Sequence, residues 1–229
     1  MKKQTPSYQI TNTREERHFC SYLFAWFLKD KQKNLKLFFE NHTHSSGCKM
    51  PDDIDYKNCK LFYEFTAIRE LIHFQSKIEK DQSKALKTKE RAEDYIFETE
   101  KGDAQKKKPD LAFYFKDKKT LVLIEAKFEE GFKLGQIEES DKYGEFLKEA
   151  LPNEIETVVT CILGTEYYID SIHEAIHKKE DQLPCIPSIS WEKLTEIIEA
   201  GEIKDEIVNG LNYQKGFHPK AMKNWSGNV

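Results

Sequence analysis

Residues 157–163 read TVVTCIL, a nearly continuous apolar run rich in β-branched side chains. A run of this kind suits a strand buried on both faces of a sheet. Two further apolar stretches precede it, DLAFYF at 110–115 and TLVLIEAK at 120–127, separated only by Lys116, Asp117, Lys118 and Lys119. They read as the two arms of a hairpin. Between hairpin and buried strand, residues 134–151 carry a helical pattern that stops at Pro152. A strand regained through a helical crossover lies parallel to an earlier one. The expected fold is therefore α/β, a mixed central sheet with helices on both faces.

The flanking segments complete this frame. Residues 14–28 read as a helix with Asn12 and Thr13 available as caps, and Phe19, Cys20, Leu23 and Phe27 on one face. A polar break at 29–33 leads to a short helix over 35–40, and 41–60 reads as a polar loop holding Gly47 and Pro51. Leu61, Phe65, Ile68 and Ile72 have helical spacing, so 61–93 is expected to be helical, with a polar second half. Tyr95, Ile96 and Phe97 read as a first short strand. Helices are expected at 166–179 and 191–200. Ser190 would be the N-cap of the second, Ile189 and Leu194 its hydrophobic staple, and Gly201 lies just past its end. From Glu202 the pattern is weak. The chain thus reads as a single domain: a mainly helical addition over 1–93, a core over 94–200 and a tail over 201–229.

Charge and cysteine content narrow the setting. The 229 residues hold 36 basic and 40 acidic side chains, for a net charge of −4. A general nucleic-acid binder tends to be basic overall, although a local positive patch is enough for binding. The five cysteines, Cys20, Cys48, Cys59, Cys161 and Cys185, are odd in number and not closely spaced, which points to a reducing, cytoplasmic compartment. The N-terminal residues lack the apolar core of a signal peptide, and the longest apolar stretch, 22–28, is too short to span a bilayer.

Chemistry concentrates on the hairpin. If Phe115 faces Thr120, antiparallel pairing keeps the sum of partner numbers constant and sets Asp110 opposite Glu125. Like charges so placed repel, and Glu125 lies in a very apolar strand where a bare carboxylate is costly. A divalent cation or a shared proton resolves the conflict. Strand alternation puts Lys127 on the Glu125 face. Oxygen donors of this kind suit magnesium or manganese. Taken alone, Lys127 reads more simply as an ion-pair partner of Glu125.

Pro109-Asp110, a gap of fourteen residues and Glu125-Ala126-Lys127 together resemble the signature of the PD-(D/E)XK nucleases, on two adjacent strands as in that family. The resemblance covers about residues 94–163. It implies a restriction endonuclease-like core and magnesium- or manganese-dependent cleavage of phosphodiester bonds, most plainly in DNA, in a restriction, defence or repair setting. Asp110, Glu125 and the Ala126 carbonyl would hold the metal, and Lys127 would act on the attacking water and the developing charge. Many members add an acid from the first helix, for which Glu16 and Glu64 are both candidates. Either can equally be an ordinary salt-bridge partner. Some carry a glutamine on the helix after E-x-K, where this chain has Gln136, with Tyr143 on the same side; a surface glutamine is the plainer reading. Cleavage of both strands would favour a homodimer.

Lys106, Lys107 and Lys108 directly precede the motif and could hold phosphates, or simply form a solvated turn. His42, His44, Cys48 and Cys59 fit no compact zinc spacing. The alternative function is a catalytically silent module on the same fold, binding nucleic acid or a protein partner.

Overall fold

The computed structural model describes residues 15–41, 54–63, 109–128, 131–178 and 186–217. Its centre is a five-stranded mixed sheet in the order β1-β2-β3-β4-β5: β1 Lys60–Tyr63, β2 Leu111–Phe115, β3 Thr120–Ala126, β4 Thr157–Gly164 and β5 Ser188–Ser190. The first two pairings are antiparallel and the last two parallel. Six α-helices surround it among the described residues: α1 Glu15–Lys29, α2 Lys31–Glu40, α3 Leu134–Ala150, α4 Glu166–Lys178, α5 Trp191–Ile197 and α6 Glu202–Phe217.

The hairpin has the expected register, with Phe115 beside Thr120 and Leu111 beside Ile124. A short 3₁₀ turn, Lys116–Lys118, and left-handed Lys119 (φ 44°) connect its arms. The crossover through α3 returns β4 parallel to β3, as the connection requires. Alternation along β3 divides the interior. Val122, Ile124 and Ala126 join Leu111, Phe113 and Phe115 under α1, α2, α5 and α6, where Phe27, Phe38 and Phe39 set their rings against Phe113. Leu121 and Leu123 join Ala112, Tyr114 and Leu147 of α3 on the other face. Gly144 lets α3 come down onto β4, since a Cβ there would stand 2.9 Å from Val158.

Four expectations need correction. Leu61 does not begin a helix: residues 61–63 belong to β1 and pair with Phe113, Ala112 and Leu111. The free edge of β2 offers those residues a ladder, and a stretch this short fits either period. The polar break after α1 shrinks to Asp30, whose carboxylate accepts the Lys33 N–H and starts α2 at once. Ser188–Ser190 adds a fifth strand. The weakly patterned tail contains α6, which buries Ile203, Ile207 and Leu211 at every fourth residue. The proposed strand at 95–97, most of the helix over 61–93 and the Asn12–Thr13 cap lie outside the described residues.

Cys20, Cys59 and Cys161 are buried free thiols. Burial pushes the Cys59 thiol up to about 12. Among the described residues, no helix is long and apolar enough to cross a membrane.

Candidate active site at the end of the central strand

β3 is the central strand, where the sheet changes from antiparallel to parallel, and the E-x-K residues stand at its carboxyl end. In open α/β sheets, ligands bind outside the carboxyl ends of parallel strands. Glu125 lies beside Ile162 of β4 and on the Leu121/Leu123 face, while Ala126 turns into the opposite core and is fully buried. Lys127 returns to the Glu125 face. Its Nζ lies 3.6 Å from Glu125 Oε1, with the two side chains 13% and 21% exposed. The pair is thus largely desolvated yet reachable from solvent.

Asp110 sits one residue before β2, and here the ladder changes. Its N–H donates to the Ile124 carbonyl at 3.0 Å, and its Oδ2 accepts the Ala126 N–H at 2.8 Å. Asp110 thus makes a side chain–main chain contact at the peptide that joins Glu125 to Ala126. The carboxylate takes the place of a ladder carbonyl. This brings Asp110, Glu125, Ala126 and Lys127 into one corner at the open end of the hairpin.

The main chain of that corner is held on both sides. The Lys127 N–H donates to Leu163 O at 2.7 Å, extending the parallel ladder one step beyond β3. The Lys127 carbonyl accepts the indole N–H of Trp191 at 3.0 Å.

The secondary candidates fall into two groups. Gln136 lies in the first turn of α3, where its Oε1 accepts the Lys133 N–H at 3.1 Å; in this structure it caps its own helix. Tyr143 is half-buried against the Ala112/Leu123 cluster of the sheet. The backbone of Glu16 belongs to α1, but its side chain, together with Glu64, Lys106, Lys107 and Lys108, lies outside the described residues. So do His42, His44 and Cys48 of the dismissed zinc grouping.

Three acidic groups escaped the sequence reading. Asp141 of α3 hydrogen-bonds Thr160 on the sheet, and burial pushes its carboxyl above the usual range. Glu192, in the first turn of α5, accepts the N–H of Glu166 at 3.1 Å. Burial, with smaller contributions from neighbouring Glu166 and Asp170, pushes Glu192 up to about 7. Glu166 is itself raised, chiefly by burial. Polar residues on helices with mixed faces give no sequence signal that they turn inward.

Asp110 and Glu125 are the side chains that could hold a metal here. Among the described residues no group of three or more histidine, cysteine, aspartate or glutamate side chains is suited to a metal ion. Two carboxylates still fit magnesium, which takes one or two from a protein and fills its remaining positions with water and substrate phosphate. No protein-family model, curated protein or solved structure matches this chain.

Proposed function

We propose that this chain is a magnesium-dependent nuclease with a restriction endonuclease-like core, hydrolysing phosphodiester bonds, DNA first. One observation carries the reading: Asp110 is bonded to the Glu125–Ala126 peptide while Glu125 holds the Lys127 ammonium, so two acids and a cation share one half-open corner. A purely structural corner would be served as well by apolar side chains of similar volume.

Asp110 and Glu125 would hold the ion. Bound magnesium or manganese would supply charge neutralisation at the phosphate and a more acidic water. Lys127 would orient the attacking water and meet the negative charge that grows on the phosphate, from a main chain already fixed before substrate arrives. Lys106, Lys107 and Lys108, adjacent in sequence to Asp110, would add phosphate contacts. A homodimer would bring two such corners to the two strands of a duplex.

The test is cleavage of plasmid, linear duplex, single-stranded DNA and RNA by the purified protein, with magnesium, manganese or chelator. Lys127→Ala should lower the rate about a hundredfold to a thousandfold, the usual effect of losing one preorganised charge, and leave metal binding intact. Cleavage undiminished in that variant would refute the assignment. Tight nucleic-acid or protein binding without cleavage by the wild type would favour the silent module.

A further inference from the structure

Lys127 is gripped from a distant part of the chain. Trp191, 64 residues away in sequence, donates its indole N–H to the Lys127 carbonyl. It is fully buried and packs its ring on Phe128, the next residue, with centroids 5.4 Å apart. Phe128 in turn stacks on Phe19 of α1 at 4.1 Å and 14°. The indole itself cannot drift, because it opens a turn tied at two further points. Ser190 Oγ accepts the Lys193 N–H at 2.9 Å, and the Glu192 carboxylate holds the start of α4 through the Glu166 N–H. On the other side, Leu163 fixes the Lys127 N–H. Both main-chain polar groups of Lys127 are therefore satisfied by rigid elements, and only its side-chain torsions are left to place the ammonium.

A buried indole N–H needs some acceptor. Here the acceptor is a carbonyl just past the end of β3, on the residue whose side chain pairs with Glu125. We propose that Trp191 is a positioning residue that aims the Lys127 ammonium at Glu125 and at whatever occupies the corner they share. The activity part of this proposal rests on the nuclease reading, whereas the aiming of the ammonium does not.

The test removes one N–H and little else. Trp191→Phe keeps an aromatic ring but loses the donor. Replacement of Trp191 by benzothienylalanine, which exchanges the N–H for sulfur, keeps the full ring volume should the phenylalanine variant fold poorly. The first readout is the acetylation rate of each lysine by a small amine-reactive reagent, followed by peptide mass spectrometry, with Lys119 and Lys193 as controls. Lys127 should label faster in either variant while the two controls keep their rates. The second readout is cleavage in magnesium well below the melting temperature. There kcat should fall about tenfold to a hundredfold, the range expected from a misplaced reacting group, with KM little changed. Unaltered Lys127 labelling in a folded variant would overturn the proposal, whatever happens to stability. Faster labelling in a protein that cleaves nothing would uphold the positioning role and count against the nuclease reading alone.

Discussion

Glu192 should make this protein lose stability as the pH rises from about 4.5 to about 7. The residue is 9% exposed, and its carboxyl's ordinary value of 4.5 is pushed up to about 7, burial being the largest cause. A folded state that holds a proton more tightly than the unfolded chain gains stability while that proton is bound. The contribution is complete below about pH 4.5 and is lost as the pH rises through about 7. At 1.36 kcal/mol per pH unit, the gap amounts to about 3 kcal/mol, or roughly 6–12 °C in melting temperature for a domain of this size. Glu192→Gln removes the titration, and its amide oxygen can still accept the Glu166 N–H. Urea unfolding of both proteins between about pH 4.5 and pH 8.5 isolates the effect. The two should coincide at the acid end, and the variant should be more stable by about 3 kcal/mol at the alkaline end. Parallel stability curves across the range would show that Glu192 ionises normally and would refute the argument.

Asp110→Asn keeps an acceptor for the Ala126 N–H but loses the charge, so it should unfold like the wild type and fail to cleave. Asp110→Ala should also lose about 1–3 kcal/mol in chemical denaturation, through the orphaned Ala126 N–H. Gly210→Ala places a Cβ 2.3 Å from Phe19 and 2.8 Å from Phe128, so calorimetry should show a net loss of about 1–2 kcal/mol even after alanine's better helix propensity. Gly216→Ala, with open space around it, should be neutral or stabilising. Magnesium and manganese, the latter tighter, should stabilise the fold by mass action, by about 2.7 kcal/mol at a hundredfold excess over Kd, seen as a raised melting temperature that Glu125→Gln should abolish.

How far the sequence could be read followed from how many residues each element had to declare itself. β2, β3 and β4 are five to eight residues long and mostly apolar, and a four-residue connection leaves the hairpin one sensible register. The α5 start was legible because Ser190 caps the Lys193 N–H chemically, not statistically. β1 misled because Leu61, Phe65 and Ile68 keep helical spacing, while its strand character comes from pairing with β2, far away in sequence. α6 shows one apolar residue per turn, and its Gly210 weakens the helical signal at the point where Phe19 and Phe128 need the room. In the site, Asp110, Glu125 and Lys127 could be grouped from strand alternation. The Asp110–Ala126 contact depends on how the ladder ends, and the Trp191 hydrogen bond on how two separate elements dock. Neither leaves a local trace.

Each charged group in the corner has a structural partner: Asp110 the Ala126 N–H, and Glu125 the Lys127 ammonium. Those partners explain how the charges are tolerated, but not why they are there. An ion pair withdrawn this far from water recovers little more than its desolvation cost, and apolar replacements of equal volume are often neutral or stabilising by about 1–4 kcal/mol. Glu125 follows four consecutive apolar residues, Leu121, Val122, Leu123 and Ile124, in a strand where a fifth would pack beside Ile162. The sheet would accept that residue, and Lys127 would then lose its ion pair with Glu125. Stability alone therefore favours a different sequence at the end of β3. Oxygen donors beside a cation suit a metal-bound phosphate, the use proposed above for the two acids and the ammonium.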